Sequence, residues 1–343
     1  MNPDRPQVWY VSPASSLGWA PVTTLAHLVA RLWETEVTAI HPTRDYTKLR
    51  KLASMLPRRR GSRPPLLIIA AHPGDLLSLA DARILLGGFS QVGAWVIDSF
   101  WDERIPRFAR ERRTIDRIWV TDAELVERYA TAMKVPCGWA PWGSDAIGWP
   151  APTDRDIDVL RLGRQPRTWD DDAENEAMLA EAGLTYQGRF PGHEDGLVSQ
   201  QLVVEMISRA KVVLASSNLA SPAAYTHPTR DYLTARFTDA VTGGAMIAGQ
   251  FPTAKAARLI PDLARVPIDI SDHAAGAAPM IAAVASWSPK LSATLHAHAI
   301  VHLDWRHRIR EISARLGVDT PTLQEELGQL DLAVAEARQV THG

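Results

Sequence analysis

The sequence is poor in cysteine, since Cys137 is the only one among 343 residues. A single thiol excludes an internal disulfide framework and a cysteine-rich zinc site, and it is typical of a reducing compartment. Long apolar runs are also absent: the strongest, Leu66–Ala71, is far shorter than the ~20 residues that cross a bilayer. The polar N-terminus contains no secretory hydrophobic region. We therefore expect a cytoplasmic protein without a transmembrane segment.

The sequence also lacks a charge excess and several well-known motifs. The formal net charge is -2, so no long-range field would attract nucleic acid, and no nucleic-acid partner is expected. There is no Walker A sequence, no GxGxxG after a strand and no GxSxG elbow, which disfavours an ATPase, a dehydrogenase and a serine hydrolase. His298 and His302 have the spacing of a metal pair, but no third ligand stands nearby, so no metal site is predicted.

Short apolar segments alternate with longer amphipathic ones, and this pattern predicts parallel sheets flanked by helices. Predicted strands in the first half are Val8–Ser12, Glu36–Ile40, Leu66–Ala71, Ala94–Asp98 and Arg117–Val120. In the second half they are Ile157–Arg161, Leu184–Gln187, Val212–Ser216, Ala245–Ala248 and Arg265–Ile268. Predicted helices are Val22–Trp33, Tyr46–Leu56, Asp122–Met133, Asp171–Ala182, Leu197–Arg209 and Tyr232–Thr242. The turn-rich run from Cys137 to Asp156 has the composition of a linker.

This alternation predicts an α/β protein with two Rossmann-like, doubly wound domains. We expect an N-terminal domain at residues 1–148, a second at 149–315 and a helical segment at 316–343. Open parallel sheets bind ligands beyond the carboxyl ends of their strands, so the active site is expected in a cleft between the two domains, at the loops that follow the strands.

The segment from His227 to Gly249 is the most informative part of the chain. It is predicted to form a loop, a helix that ends at a glycine pair, and a strand. Asp231 and Asp239 are eight residues apart, with Asp231 expected at the helix start and Asp239 two turns later. Arg236 precedes Asp239 by one turn, and the simplest structural reading of that spacing is a surface ion pair.

In this segment the chain resembles the group 1 glycosyltransferases of the GT-B fold, in the branch of spore-maturation glycosyltransferase-like proteins. RFTDAVTGGAMIAG has the arginine and the acidic residue that this branch places three residues apart. The resemblance extends to DIDVLRLGRQP, to the strand and loop around Gly188, and to APWGSD, in the family's order. The chain departs from the broader family by carrying aspartate at its two glutamate positions.

The resemblance implies a set of donor-binding residues in the second domain. Asp239 would hold the ribose hydroxyls of the donor, and a loop after Gly188 would receive the nucleobase. Guanidinium groups near the diphosphate would neutralise charge on the leaving group, a role that can replace a metal ion. The implied donor-binding residues are Arg164, Gly188, Arg189, Phe190, Arg230, Asp231, Arg236 and Asp239.

In the first domain, polar residues follow the predicted strands. His72 and Asp98 would project at strand ends and are the candidate catalytic residues, although turn formation explains the HPGD sequence equally well. Trp19 and Trp142 lie in predicted loops and are the candidate acceptor contacts, because indole rings stack on sugar faces.

The predicted function is transfer of a sugar from a nucleotide-sugar co-substrate to an acceptor, with retention, without metal and without a permanently bound cofactor. A nucleotide-sugar epimerase on the same architecture and a non-catalytic transferase-like binding protein are the alternatives. An epimerase would convert donor without acceptor, and a homodimer is left open.

Overall fold

The computed structural model describes residues 4–11, 17–40, 60–80, 87–106, 114–150 and 154–342. The chain forms two compact units. The first contains Met1–Pro141, Glu194–Leu197 and Arg308–Gly328; the second contains Trp142–His193, Val198–His307 and Gln329–Gly343. The helix predicted at Tyr46–Leu56 lies outside the described residues.

The first unit is built on a parallel sheet with the strand order β2-β1-β3-β4-β5-β6. Leu66–Ala70 is apolar throughout and completely buried, as expected for a strand covered on both faces of a parallel sheet. The bounds are β1 Gln7–Val11, β2 Val37–Ile40, β3 Leu66–Ala70, β4 Val92–Val96, β5 Arg117–Val120 and β6 Cys137–Trp139.

The second unit has its own parallel sheet, with the order β11-β10-β9-β7-β8. β7 lies between β8 and β9, so the connection from β8 to β9 passes over it. The bounds are β7 Ile157–Arg161, β8 Tyr186–Gln187, β9 Ala210–Leu214, β10 Met246–Gly249 and β11 Arg265–Pro267. Two doubly wound sheets confirm the predicted α/β class.

Helices surround these sheets and begin where the sequence provides caps. The side chain of Asp171 accepts the N–H groups of Ala173 and Glu174 at the start of the helix Asp172–Glu181, and the Ser288 side chain accepts the N–H of Leu291 at the start of the helix Pro289–His302. The helices are α1 Ala20–Leu32, α2 Val126–Met133, α3 Asp172–Glu181, α4 Gly196–Ser208, α5 Ala235–Thr242, α6 His273–Ser286, α7 Pro289–His302, α8 Trp305–Leu316 and α9 Pro321–His342. None of them, within the described ranges, is both long and apolar enough to cross a membrane.

The C-terminal part of the chain completes the first unit. Trp33 is 0% exposed, and its indole N–H donates to Ser313 Oγ at 2.8 Å. Thr320 Oγ1 donates to the carbonyl of Leu32, and Thr322 Oγ1 bonds to Glu34 Oε1 at 3.0 Å. Residues 308–328 therefore belong with the first unit, whereas the sequence placed residues 149–315 in one domain.

Residues 137–150 of the predicted linker contain regular structure and bonds to the second unit. They begin with β6, and the chain enters the second unit at Trp142 rather than at 149. There Ser144 N–H donates to the carbonyl of Leu303 at 2.9 Å, and Thr238 Oγ1 donates to the carbonyl of Gly143 at 2.9 Å. These bonds fix residues 143–144 against α5 and the end of α7.

Candidate functional site

The second unit has a topological switch point between β7 and β9. Chain connections leave these neighbouring strands in opposite directions along the sheet, and such points open a crevice at the carboxyl ends of the strands. The residues that follow β7 are Leu162, Gly163 and Arg164, and those that follow β9 run from Ala215 to Asn218. A ligand of this unit is therefore expected at these two loops.

Two arginines meet at this point. Arg164 Nη2 donates to Asn218 Oδ1 at 2.7 Å, and its Nε donates to the carbonyl of Ser221 at 3.2 Å. Arg236, from α5, donates to the same Asn218 oxygen at 3.2 Å and to the carbonyl of Ser216 at 3.0 Å. Neutral oxygens thus hold both guanidinium groups.

The two positive charges have no carboxylate ion pair among the described residues. Burial, together with the neighbouring charge of Arg164, lowers the pKa of Arg236 to about 10, although the nearby carboxylate of Asp231 opposes this shift. Each guanidinium has five N–H donors, of which two are used in the bonds described. The pair can therefore accept an anion and gain both charge compensation and hydrogen bonds.

The backbone around the pair is also suited to an anion. Gly163 has a φ of 76°, and a β-carbon there would lie 3.3 Å from the Cζ atom of Arg236, so glycine lets the guanidinium approach the turn. Helix α5 starts at Ala235 with Thr234 as its N-cap, and no side chain caps its first N–H groups. An uncapped helix start adds partial positive charge beside the arginines.

The sequence predicted Asp231 at the start of the helix, but it lies four residues before α5 begins at Ala235. Its Oδ1 accepts the N–H of Tyr232 at 3.2 Å, and its Oδ2 accepts that of Thr253 at 3.1 Å. These bonds keep residues 231–234 out of the helix and connect two loops. Burial raises the pKa of Asp231, and the hydrogen bonds oppose that rise.

Asp239 lies inside the second unit and is 2% exposed. Its Oδ1 accepts from Ser144 Oγ at 2.7 Å and its Oδ2 from Gln200 Nε2 at 2.9 Å. Burial raises its pKa to about 6, which the two hydrogen bonds partly oppose. A ribose hydroxyl could reach this carboxylate only by replacing one of these partners. The surface ion pair with Arg236 is absent, because the two side chains bond elsewhere.

The loop at Gly188 belongs to a separate polar network. Asp172 Oδ2 accepts the N–H of Arg189 at 3.0 Å, and Asp170 Oδ1 accepts from Arg189 Nη2 at 2.5 Å. The carboxyl group of Asp172 packs so closely on Gly188 that a β-carbon there would lie 2.8 Å from its Cγ. Phe190 follows, half-buried. No hydrogen bond joins this loop to the arginine pair within the described residues.

Arg230 lies in the loop that leads to Asp231. Its N–H donates to His227 Nδ1 at 3.0 Å, and the N–H of Thr229 donates to the same atom at 3.2 Å. His227 thus organises a tight turn that presents Arg230 half-buried.

In the first unit, His72 follows β3 at the carboxyl edge of the sheet. Its N–H donates to Asp75 Oδ2 at 3.1 Å, and its Nε2 lies 3.4 Å from Asp75 Oδ1. Burial lowers the pKa of His72, while Asp75 raises it and Arg104 lowers it. The Nδ1 atom is buried and has no hydrogen-bond partner among the described residues. The pair combines an oriented imidazole with a carboxylate.

Asp98 lies beside His72 at this edge, because its N–H donates to the carbonyl of Ala71 at 2.7 Å. Its carboxylate has no hydrogen-bond partner within the described part of the chain. Burial raises the pKa of Asp98 well above its usual value, and the charges of Asp122 and Asp75 raise it further. Asp122 accepts from Ser99 Oγ at 2.5 Å. The structure therefore brings the two candidate catalytic residues to one edge of one sheet.

The backbone of the chain is similar to those of several solved proteins. It is similar to sucrose-phosphate synthase from Thermosynechococcus elongatus, with a TM-score of 0.54, 13% identity and 90% of this chain and 98% of that chain covered. It is similar to an α-glucosyltransferase in complex with UDP and a 13-mer DNA, with a TM-score of 0.54, 12% identity and coverage of 92% and 100%. It is also similar to Anabaena HepE in complex with UDP and glucose, with a TM-score of 0.55, 11% identity and coverage of 91% and 99%. The chain has the GT-B fold.

No protein-family model and no curated protein sequence matches the chain. The GT-B fold is therefore recognised from its strand order and backbone, at identities of 13% or less in these three comparisons. The predicted GT-B architecture is confirmed.

The tryptophans of this GT-B chain differ in their surroundings. Trp142 is 6% exposed and packs on Trp305, with ring centroids 6.0 Å apart, so its environment is that of a core residue rather than the predicted acceptor contact. Trp19 is half-buried and ends a short 3-10 helix, Leu17–Trp19, that precedes α1. Trp139, which was not singled out in the sequence, is 39% exposed at the end of β6, and its indole N–H donates to the carbonyl of Thr121 at 3.0 Å.

Three residues of the arginine site were missed in the sequence: Ser216, Asn218 and Tyr225. Asn218 and Ser216 follow β9, so the rule that ligands bind after strands pointed to their loop. Nothing local distinguishes Tyr225, which contacts Arg164 only because the loop folds back.

Proposed function

We propose that the protein is a glycosyltransferase that transfers a sugar from a nucleotide-sugar donor to an acceptor. The GT-B fold supports this proposal, since sucrose-phosphate synthase, the α-glucosyltransferase and HepE share it and the last two were solved with UDP. Membership of the group 1 family, in the spore-maturation-like branch, is part of the proposal and rests on the Arg236 and Asp239 motif.

The observation that carries the proposal is the arginine pair at the switch point. Arg164 and Arg236 share Asn218 and have no carboxylate ion pair in the described structure. A diphosphate supplies two adjacent anionic groups, and a guanidinium can bond two oxygens of such a group at once. We therefore assign the donor diphosphate to this pair.

The arginines would also contribute to the reaction itself. Negative charge grows on the nucleoside diphosphate as its bond to the sugar breaks, and donors that are fixed beforehand stabilise that charge in the transition state. This assigns to Arg164 and Arg236 the charge compensation that a metal ion provides in other enzymes. Retention at the anomeric carbon is proposed from the family resemblance.

The remaining residues receive more specific proposals. Gly188, Arg189 and Phe190 would receive the nucleobase, and Arg230 would approach the phosphates, while Asp231 would support their loop. A ribose contact of Asp239 would require a hydroxyl to replace Gln200 or Ser144. His72 and Asp98 are proposed to act on the acceptor hydroxyl, because both lie at the carboxyl edge of the first sheet and burial raises the pKa of Asp98, which favours a proton-accepting carboxylate.

The arginine assignment is tested by substituting Arg236 with glutamine and titrating nucleoside diphosphates. Loss of charge-assisted hydrogen bonds worth about 1.5–3 kcal/mol should weaken the Kd about 10- to 100-fold. UDP, GDP and ADP are first compared with the wild-type protein by thermal shift, because a ligand at ~100 times its Kd adds about 2.7 kcal/mol of stability. The tightest is then titrated by calorimetry.

Arg209→Gln is the matched control, since Arg209 belongs to the same unit, pairs with Asp156 and has a side chain that is 39% exposed. This variant should bind the diphosphate like the wild type. An equal affinity in the Arg236 and Arg209 variants would contradict the diphosphate assignment. Release of nucleoside diphosphate from a nucleotide sugar only when an acceptor is added would distinguish a transferase from an epimerase.

A further inference from the structure

The loop after β9 holds an aromatic residue in an unusual position. Ser221 N–H donates to the carbonyl of Ser217 at 3.1 Å, and Ser221 Oγ donates to the carbonyl of Gln165 at 3.0 Å. Thr226, which is buried, closes a turn by donating its N–H to the carbonyl of Ala223 at 3.0 Å. Tyr225 lies in this turn but is 69% exposed. A firmly bonded loop thus presents a large ring to solvent.

The ring of Tyr225 covers Arg164. The Cζ atom of Arg164 lies 4.6 Å from the ring centroid, well inside the ~6 Å range of a cation–π contact. In the plane of the guanidinium, Asn218 and Ser221 accept its hydrogen bonds. Tyr225 therefore contacts the face of the guanidinium, whereas Asn218 and Ser221 bond its edge. The N–H groups of Arg164 that are not used in these two hydrogen bonds remain available to a ligand.

We propose that Tyr225 is a positioning residue, which holds the guanidinium of Arg164 in place for the phosphates of the donor. The inference rests on the proposed function, because it takes a phosphate-bearing ligand as the partner of Arg164. Long arginine side chains lose considerable conformational freedom when they bind, and an arginine already fixed on a ring loses less. The ring therefore improves phosphate binding without a contact to the ligand.

This role predicts a dependence on phosphate and on Arg164. Removing the ring should weaken binding of a nucleoside diphosphate and leave the parent nucleoside unaffected, since the nucleoside has no group for Arg164. An exposed cation–π contact corresponds to about two- to fivefold in Kd. Phenylalanine keeps the aromatic face and should restore the affinity, whereas leucine keeps only apolar bulk.

The experiment compares Tyr225→Leu, Tyr225→Phe and the wild type with the tightest of UDP, GDP and ADP, and with its nucleoside. Calorimetry gives the Kd of the diphosphate, and ligand-observed NMR gives that of the nucleoside. Leu332→Ala is the matched control, because Leu332 is also 69% exposed in the second unit. The expected result is a two- to fivefold loss for the diphosphate in Tyr225→Leu alone.

A double-mutant cycle with Arg164→Gln separates positioning from direct contact. If Tyr225 acts through Arg164, Tyr225→Leu has no further effect on diphosphate affinity once Arg164 is removed. An equal loss in both backgrounds, a loss of nucleoside affinity, or an unchanged Kd in Tyr225→Leu would overturn the inference. Absence of diphosphate binding to the wild type would instead refute the proposed function and the inference together.

Discussion

At the scale of single residues, the bonding partners of three arginines in the second unit distinguish a structural side chain from candidate ligand-binding ones. Arg161 is buried and bonds the carboxylates of Asp170 at 2.5 Å and Asp172 at 2.8 Å, so its charge is compensated within the fold. Arg164 and Arg236 are held by neutral oxygens instead. A charge that is buried without an ion pair costs stability, and such a cost is often found at a ligand-binding site.

Asp239 allows a test at the same scale. Its folded pKa of about 6 lies above the usual value, so its contribution to stability is complete at low pH and is lost as pH rises through 6. The free energy of unfolding of the wild type, relative to that of Asp239→Asn, should therefore fall by roughly 2 kcal/mol between pH 4.5 and 7.5. Urea denaturation at a series of pH values measures it.

Asp158→Asn provides the contrast for this measurement. Hydrogen bonds to Lys211 and Thr185 lower the pKa of Asp158, although burial opposes them. Its carboxylate is thus ionised throughout that range, and the corresponding difference should stay constant. A flat profile for Asp239→Asn as well would show that Asp239 is charged in the folded protein.

At the scale of strands and turns, the sequence predicted what depends on local pattern. Arg117–Val120 and Ile157–Arg161 have the predicted bounds, because each has a core of β-branched or large apolar residues with polar residues beside it. β6 was missed because Cys137-Gly138-Trp139 looks like part of a turn. Gly138 is needed there by the neighbouring strand: a β-carbon would lie 2.6 Å from Cδ1 of Trp119. That requirement is invisible in the local sequence.

The same limit applies to the candidate site. The loop after β7 was found through Arg164, and α5 through Arg236, whereas their meeting at Asn218 depends on the strand order. The orientation of Asp239 was also beyond a sequence argument. Its partners Ser144 and Gln200 are 95 and 39 residues away in the chain.

The turn after β7 can be tested with two glycines of like conformation. Gly163 and Gly183 have φ values of 76° and 75°, but a β-carbon at Gly183 would contact nothing within 4 Å. Alanine at either position should cost about 1–2 kcal/mol of stability, because the left-handed region disfavours a β-carbon. Only Gly163→Ala should also weaken nucleoside diphosphate binding, by about tenfold, since its methyl group displaces Arg236.

Chemical denaturation and calorimetric titration of the two variants measure these effects. The comparison removes the backbone contribution, which both variants share. Equal diphosphate affinity in Gly163→Ala and Gly183→Ala would show that Arg236 tolerates the extra methyl group or does not bind phosphate.

At the scale of the whole molecule, each unit is assembled from separate stretches of the chain. The first unit needs Arg308–Gly328, which supplies Ser313 to Trp33 and Thr320 to Leu32. A buried tryptophan would be exposed and its indole N–H left without its partner if this stretch were missing. The first 141 residues therefore do not contain everything that their unit requires.

This dependence predicts the outcome of two truncations. A chain that ends at His307 should lose protection of the amide groups in α1, because the partners of Trp33 and Leu32 are gone. A chain that ends at Gly328 keeps them and should retain that protection, while it loses buried residues of the second unit such as Leu330. Hydrogen exchange of α1 in both chains provides the measurement, and equal protection would contradict the prediction.

The late return of the chain to its first unit has a consequence during synthesis. A ribosome that elongates at about 5–20 residues per second takes roughly 10–40 s to proceed from Pro141 to Gly328. Throughout that interval the nascent first unit lacks Ser313 and Thr320, the hydrogen-bond partners of Trp33 and Leu32. The unit that is begun first is therefore completed only when nearly the whole chain has been made, and holdase chaperones that bind incomplete chains have a target there in the meantime.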